Sequence, residues 1–481
     1  MNDFKYNFYL AAQSSTFWLV FFIAYVVLGL FSAGHALLHK RDSRSALGWV
    51  VACLVLPIAG SVAYLLFGIN RIKSKAKQLS KEMLLKEAQV DLSSVALKKK
   101  HKAKYLMTIA ETITPGLLTN NNQWQCLRNG EQAFPAMLKA INEAKHQVLL
   151  STYIFGNDAT GQAFNGALKA AHERGVSLYV LIDGIGARYS VPSMLKTLKR
   201  SGIRCAAFLP PRWFPPQISI NLRNHRKILV VDQRVAFTGG INITHKHCVS
   251  AVKNGAADLH FSFTGGVVEQ LSELFWRDWQ LATGEFSKML ERSPAEIEAQ
   301  GYCRLIADGP DGDLDKLSLT LNAVISAAKE HVILMTPYFI PSKGMIAVML
   351  SAVQKGVTVE VLLPAKSNLW YVDWATQHMM GELINWGVKI YRKPAPFEHS
   401  KLVVVDDCYV MVGSANIDPR SLRLNFELMV EVFDQPFCEE MSRLTHELKH
   451  QSELVTIGDI LKRPLWQKLR DGFFWLFSPY L

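Results

Sequence analysis

No two cysteines in this chain stand at C-x-x-C spacing. Cys53, Cys126, Cys205, Cys248, Cys303, Cys408 and Cys438 are scattered along its 481 residues. That spread argues against a structural zinc site or a disulfide framework and fits thiols kept reduced. No calcium loop is completed either. "DGDLDK", from Asp311, has the first three carboxylates of one, but Lys316 stands at the glycine position and Asn322 where the closing glutamate is required. "HKH", His245 to His247, reads as a short polar turn rather than a ligand pair. Acidic residues are also in deficit, 41 Asp and Glu against 53 Lys and Arg, for a formal net charge of +12. An acidic partner is therefore expected.

Apolar residues are plentiful, and charge is missing altogether from two early runs, Phe17 to Leu38 and Ala46 to Ile69. As a helix, either would exceed the ~30 Å of a bilayer core. The first is too long for the apolar region of a cleaved signal, and the second follows at once. Residues 1–70 thus read as a transmembrane helical hairpin, with His35 and Pro57 inside it. Its turn carries only Lys40, Arg41 and Arg44, whereas "RIKSKAKQLSK" follows the second run. The positive-inside bias puts the remainder of a multi-pass chain on the cytoplasmic side. Residues 71–120 form a basic juxtamembrane linker, where each base near anionic lipid contributes about 1 kcal/mol. Lipid is the first candidate partner and nucleic acid the second. The C-terminal "LKRPLWQKLRDGFFWLFSPYL" mixes bases with aromatics, which suits either a bilayer interface or a tail packed on the core.

From about residue 120 strands and helices alternate, an α/β grammar. "HQVLLSTYIF", a helix ending at Gly175 and "VSLYVLID" recur as "HVILMTPYFI", a helix ending at Gly356 and "VTVEVLLP". "SGIRCAAF" is answered by "WGVKIYRK". Two homologous lobes follow, 121–300 and 301–481, the second ending in the amphipathic tail. Inside each lobe stands the pattern H-x-K-x4-D-x6-G-[GS]-x-N. It comprises His225, Lys227, Asp232, Gly239 and Asn242 in the first, and His399, Lys401, Asp406, Gly413 and Asn416 in the second.

Residues two apart on a strand share a face, so His225 and Lys227 leave the sheet together, as do His399 and Lys401. A pseudo-two-fold axis would bring both pairs into one cleft. One neutral histidine can then attack an electrophile while the other, protonated, donates to the leaving group. Two lysines suit the oxygens of a phosphoryl centre. Phosphodiester chemistry without metal or cofactor is the expectation.

The duplicated motif resembles that of the phospholipase D superfamily. Within it, "LRNHRKILVVD", "TPYFIPS", "GSANIDPRSLRLNFE" and "LKRPLWQ" are similar to bacterial cardiolipin synthases of the membrane-anchored type. The resemblance implies an α/β fold of two homologous phospholipase D-like lobes, each a mixed sheet flanked by helices. They are related by a pseudo-two-fold and preceded by the hairpin. It implies phosphatidyl transfer between two phosphatidylglycerols, giving cardiolipin and glycerol, at a bacterial inner membrane. His225 or His399 would form a phosphatidyl-histidine intermediate, with His225 favoured, while Lys227 and Lys401 hold phosphate oxygens. Asp232 and Asp406 would be mainly structural, and Asp258 and Glu427 are candidates to orient the histidines. A lipid hydrolase shares every catalytic residue, and a membrane-tethered nuclease is a weaker alternative, so nucleic acid is not an expected partner. The oligomeric state, a homo-oligomer included, is left open.

Overall fold

A computed structural model describes residues 15–40, 43–68, 103–114, 118–211, 222–285, 301–310 and 313–479. Most of the basic run from Arg71 to Lys104, Arg41 in the expected turn, and Asp311 and Gly312 lie outside them. The chain divides into two units, one holding residues 1–73 and 211–219, the other 74–210 and 220–481.

In the first unit, α1 (Ser15–His39) is uncharged but for its terminal histidines and, at ~1.5 Å per residue, is long enough for a bilayer. The second apolar run is not a matching span. It breaks into α2 (Ser43–Val55) and α3 (Pro57–Ala63), followed by a π-helical turn, Tyr64–Gly68. The break falls at Leu56 (φ −128°, ψ 68°), because the ring of Pro57 disfavours helical geometry in the residue before it. Among the described residues α1 alone is long and apolar enough to cross a membrane. The expectation of a two-span, multi-pass hairpin is therefore not supported. α1, α2 and the π-helical turn pack through Ala33, Ala36, Cys53 and Tyr64, and His35 Nδ1 bonds the Tyr64 hydroxyl at 2.8 Å.

Among its described residues, the second unit opens with α4 (Lys104–Glu111). Its first lobe then runs β1 (Thr119–Arg128), α5 (Asn129–Glu143), β2 (Gln147–Thr152), α6 (Ala159–Glu173), β3 (Ser177–Asp183), α7 (Met194–Arg200), β4 (Arg204–Phe208), β5 (Ile228–Val231), β6 (Val235–Gly239), β7 (Ala256–Ala257), β8 (Leu259–Gly265) and α8 (Gly266–Thr283). The second lobe repeats the order except that its short strand precedes the motif strands and a further helix, α12, follows them: β9 (Gly301–Asp308), α9 (Lys316–Ala327), β10 (His331–Met335), α10 (Lys343–Gln354), β11 (Thr358–Pro364), α11 (Trp370–Asn385), β12 (Lys389–Lys393), β13 (Phe397–Glu398), β14 (Leu402–Val405), β15 (Tyr409–Gly413), α12 (Pro419–Arg423), β16 (Glu427–Phe433) and α13 (Gln435–His450). The short β17 (Glu453–Leu454), α14 (Ile457–Leu461) and α15 (Leu465–Trp475) complete the chain.

Of the seventeen strands named, β13 and β7 pair separately, and the other fifteen form one sheet, β17-β12-β11-β10-β14-β15-β16-β9-β1-β8-β6-β5-β2-β3-β4. Its middle is the antiparallel pair β9/β1, and reading outward either way gives equivalent strands in the same order, β17 being the one extra. Each half is mixed: β2, β3 and β4 are parallel and β5, β6, β8 and β1 antiparallel, matched by β10, β11 and β12 and by β14, β15, β16 and β9. Helices cover it because strands such as β5, β14 and β16 are buried along their whole length. One cluster under the first half joins Val148, Val180, Phe164 and Leu229, and another under the second joins Val332, Val361, Met349 and Val403.

Candidate active site

Each motif histidine lies just before a buried strand, β5 or β14, and is pinned to the opposite lobe through its backbone. His225 N donates to Phe426 O at 2.9 Å, and His399 N donates to Ala257 O at 2.7 Å. The residues following those two carbonyls are Glu427 and Asp258. Backbone pairing across the lobes thus seats each histidine beside a carboxylate of the other lobe. His225 Nδ1 is 3.0 Å from Glu427 Oε1, and His399 Nδ1 is 2.7 Å from Asp258 Oδ2. With Nδ1 held by a carboxylate, Nε2 is the nitrogen left for chemistry.

The lysines follow the expected alternation. Lys227 and Lys401 are buried, and each curls back so that its ammonium donates to the carbonyl of its own histidine, Lys227 at 2.5 Å. Arg226, between His225 and Lys227, points to the other face. Fully buried, it pairs with Asp278 at 2.5 Å and donates to Glu427 O at 3.0 Å and Asp308 O at 2.8 Å, tying α8 to the second lobe.

Burial dominates the electrostatics. It pushes Lys227 down to about 7, helped by the charge of Lys401 and opposed by Glu427, and it pushes Lys401 down to about 8 against the pull of Asp258 and Glu427. His399 is held well below its ordinary value by burial, then by Lys401, Lys227 and His225. His225 is also lowered by burial, with Glu427 pulling the other way. The two carboxylates differ. Burial raises Asp258, whereas for Glu427 it is outweighed by His225, Lys227 and the Ser414 hydroxyl, which hold it ionised.

Asp232 and Asp406 lie at the far ends of β5 and β14. Both have positive φ (53° and 51°), and their carboxylates accept backbone N–H groups at the start of the neighbouring strand. Asp232 takes those of Lys145, His146 and Gln147, each at 2.8 Å. Asp406 takes Lys329, Glu330 and His331 at 2.8 to 3.0 Å, and the Tyr105 hydroxyl at 2.6 Å. These contacts brace the sheet. Asn242 Oδ1 accepts Ile154 N at 3.2 Å and Asn416 Nδ2 donates to Ser421 Oγ at 3.1 Å, so each steadies a loop beside the histidines.

Two neighbouring tyrosines were not singled out from the sequence, and a histidine read there as part of a turn also lies close by. The Tyr153 ring lies 5.3 Å from that of His225, and the Tyr338 ring 6.3 Å from that of His399. They occupy equivalent places in "STYIF" and "TPYFI", so the repeat itself carried the signal. His247 belongs to a short 3-10 turn, as "HKH" suggested, but it is buried 6.1 Å from the His399 ring. Its nitrogens are engaged by Asn242 N at 3.3 Å and Ala256 O at 3.2 Å, and burial pushes it down to about 4. It is a neutral support. In the incomplete calcium loop, Asp313 pairs with Arg277 and, at 2.7 Å, with Lys316. No group of three or more His, Cys, Asp or Glu that could hold a metal occurs among the described residues.

Two lobes, two histidines on carboxylates and two lysines on one cleft define a phosphodiester-processing class of protein. The fold is similar to that of a phosphatidylserine synthase from Haemophilus influenzae, which aligns with a TM-score of 0.62 at 14% identity, over 78% of this chain and all of that one. The chain belongs to the cardiolipin synthase, phospholipase D-like family, whose model matches residues 137–279 and 321–449. A phospholipase D-nuclease N-terminal model matches residues 16–68. Cardiolipin synthase A of Pseudomonas aeruginosa is 32% identical over 445 residues, 90% of each chain. The major cardiolipin synthase ClsA of Bacillus subtilis is 28% identical, over 92% of this chain and 95% of its own.

Proposed function

We propose that this cleft transfers a phosphatidyl group from one phosphatidylglycerol to another, forming cardiolipin and releasing glycerol. The observation that carries the reading is the crossed pairing, His225 on Glu427 and His399 on Asp258. It makes two oriented imidazoles that need both lobes.

His225 Nε2 attacks phosphorus. The bond from phosphorus to the headgroup glycerol oxygen breaks, and protonated His399 gives that oxygen its proton. The phosphatidyl group now sits on His225, where ionised Glu427 stabilises the positive charge on the ring. A primary hydroxyl of the second phosphatidylglycerol then loses its proton to His399 and attacks phosphorus, and the P–N bond breaks. One phosphodiester replaces another, so no nucleotide is consumed. Lys227 and Lys401 neutralise the phosphoryl oxygens through both steps. Because they supply the cationic charge, turnover is expected to survive EDTA.

Support for a lipid substrate comes from the names of the relatives and from an N-terminal helix able to anchor the chain. Anchoring in the bacterial inner membrane, with the catalytic unit on its cytoplasmic side, fits the bases that follow the apolar segment. Both lipids then diffuse in the leaflet that holds the enzyme. The test is purified full chain with labelled phosphatidylglycerol, resolving cardiolipin, phosphatidic acid and glycerol. Cardiolipin with equimolar glycerol is expected. Phosphatidic acid as the main product would make water the acceptor and the protein a hydrolase.

A further inference from the structure

The last helix is amphipathic the wrong way round for a soluble surface. On α15 the carboxylate of Asp471 is only 1% exposed and points inward, where it pairs with Arg463 at 2.6 Å and Arg470 at 2.8 Å. Phe474 also faces inward, its ring 5.3 Å from Trp370 and 5.1 Å from Trp374 of α11. The outward face carries Leu465, Trp466, Leu469, Phe473, Leu476 and Phe477, each between 47% and 71% exposed. A soluble helix shows the opposite pattern, and a contiguous exposed apolar face of this kind marks a surface made to be covered.

Chemistry at the rim says by what. Lys462 and Lys468 are exposed beside the apolar face, and the Arg470 guanidinium lies 4.1 Å from the Trp374 ring and 5.3 Å from that of Trp466. Aromatics flanked by cations are the composition of a bilayer interface with anionic headgroups. The surface is also continuous with the cleft. The Tyr338 ring beside His399 is joined through its hydroxyl to Asn368 at 2.8 Å, and two residues on, Trp370 is 53% exposed and touches Phe474. On the other lobe the ring of Tyr189, 66% exposed, lies 6.2 Å from that of Tyr153, which itself stands beside His225, and Val191, two residues on, is 92% exposed.

We infer that the catalytic unit has its own membrane-docking surface, independent of the N-terminal helix: the outward face of α15 together with the apolar rim of the cleft. It seats on an anionic lipid surface, so that a headgroup reaches His225 and His399 while its acyl chains stay in the bilayer. The inference deepens the lipid reading by specifying how substrate is reached, and it holds for transferase or hydrolase alike.

The test uses the full chain in nanodiscs of phosphatidylglycerol and phosphatidylcholine, some with brominated acyl chains. Brominated lipid should quench tryptophan emission, and Trp466→Phe should remove a distinct part of that quenching. The exposed double substitution Leu469→Glu/Phe473→Glu should leave the melting temperature unchanged. It should lower turnover of nanodisc phosphatidylglycerol by on the order of tenfold, while sparing turnover of a short-chain phosphatidylglycerol dissolved as monomer. Quenching unaltered by Trp466→Phe, or equal loss on both substrates, overturns the inference. So does a particle in detergent whose mass halves in the double variant, which would make a second copy of the chain the occupant. Quenching is read without turnover, so an inactive preparation that still docks separates this inference from the proposed reaction.

Discussion

The two halves of the site are alike in their letters and different in their fields. In one, His225 leans on a glutamate that receives two further donors, the Ser414 hydroxyl at 2.6 Å and the Asn425 amide at 3.3 Å. In the other, His399 leans on a shorter carboxylate whose second oxygen accepts the N–H of Leu259 at 2.8 Å, while Lys401 lies 3.1 and 3.2 Å from the His399 ring nitrogens. One source of the difference is the variable letter of the motif. Where the second lobe has Ser414 to donate to Glu427, the first has Gly240, and a Cβ there would stand 2.2 Å from Asp258 Oδ1. The Ser414 hydroxyl, the Asn425 amide and the Lys401 contact together set the two sites apart. Glu427 stays ionised, which suits His225 as the proposed carrier of the adduct's positive charge. Burial and Lys401 keep His399 a weak base, which makes its protonated form a strong donor to a leaving alkoxide.

The largest expected effect comes from removing either histidine. His225→Ala and His399→Ala should each lower turnover by about 10³-fold or more, near the upper range for a group acting in proton or nucleophilic transfer. The comparison predicts more than equal loss. A denaturing quench at alkaline pH, which spares the acid-labile P–N bond, should leave label on His225 in His399→Ala treated with labelled phosphatidylglycerol, whereas His225→Ala should leave none on His399. Label on His399 would reverse the two roles.

Next in size is Gly240→Ser, which installs in the first lobe the letter found in the second. Its Cβ would displace the Asp258 carboxylate from His399, and kcat should fall by about 10²-fold or more, as when a histidine loses the group that fixes its tautomer. Near-normal kcat would show that the orientation of His399 by Asp258 is dispensable.

How much of this was legible beforehand depends on distance along the chain. Period-two alternation placed His225 with Lys227 and His399 with Lys401 on common faces, because it is a property of three consecutive residues. The repeat exposed both lobes, since "VLLSTYIF" and "VILMTPYF" each carry a whole strand and its exit. The crossed pairing was not legible. Glu427 is 202 residues from His225 and Asp258 141 from His399, and they are brought together by contacts between the lobes such as the pairing of β13 with β7 and the bridge from Asn224 to Phe426. Composition also misjudged Ala46 to Ile69. A proline in an apolar run leaves hydropathy almost untouched and still ends a helix.

A smaller effect, read in pH, concerns the lysines. Each must be charged to hold phosphate oxygens, and burial has brought Lys227 to about 7 and Lys401 to about 8. A lowered lysine pKa means charge present below that value and lost as pH rises through it, so kcat/KM in the free enzyme should decline from about pH 7 upward. Lys227→Arg keeps its charge at every accessible pH. It should move the alkaline limb up toward the value set by Lys401, even if its maximum rate is lower. An unmoved limb would assign that titration to another group.

The smallest expected effect is also the most direct test of why the halves differ. Ser414→Gly makes the second lobe read as the first, "GGAN" beside "GGIN", and removes one charge-assisted hydrogen bond from Glu427 without touching either histidine. A hydrogen bond to a charged group contributes about 1.5–3 kcal/mol, but Glu427 keeps His225, Lys227 and Asn425, so only part of that should reach the transition state. A fall in kcat/KM of about three- to thirtyfold is expected, with KM little changed. The direction on pH follows from the sign of the lost contact. The hydroxyl helps hold Glu427 below its ordinary value, so without it the carboxylate protonates at higher pH. The activity it supports is present above that pKa and lost below it, and the acid limb of the profile should therefore shift upward in Ser414→Gly. The same substitution should slow formation of the His225 adduct more than its resolution, because positive charge on the ring appears as the P–N bond forms. If instead the acid limb stays in place and both half-reactions slow equally, the hydroxyl serves packing alone. The asymmetry between the halves would then have to come from the placement of Lys401 over the His399 ring.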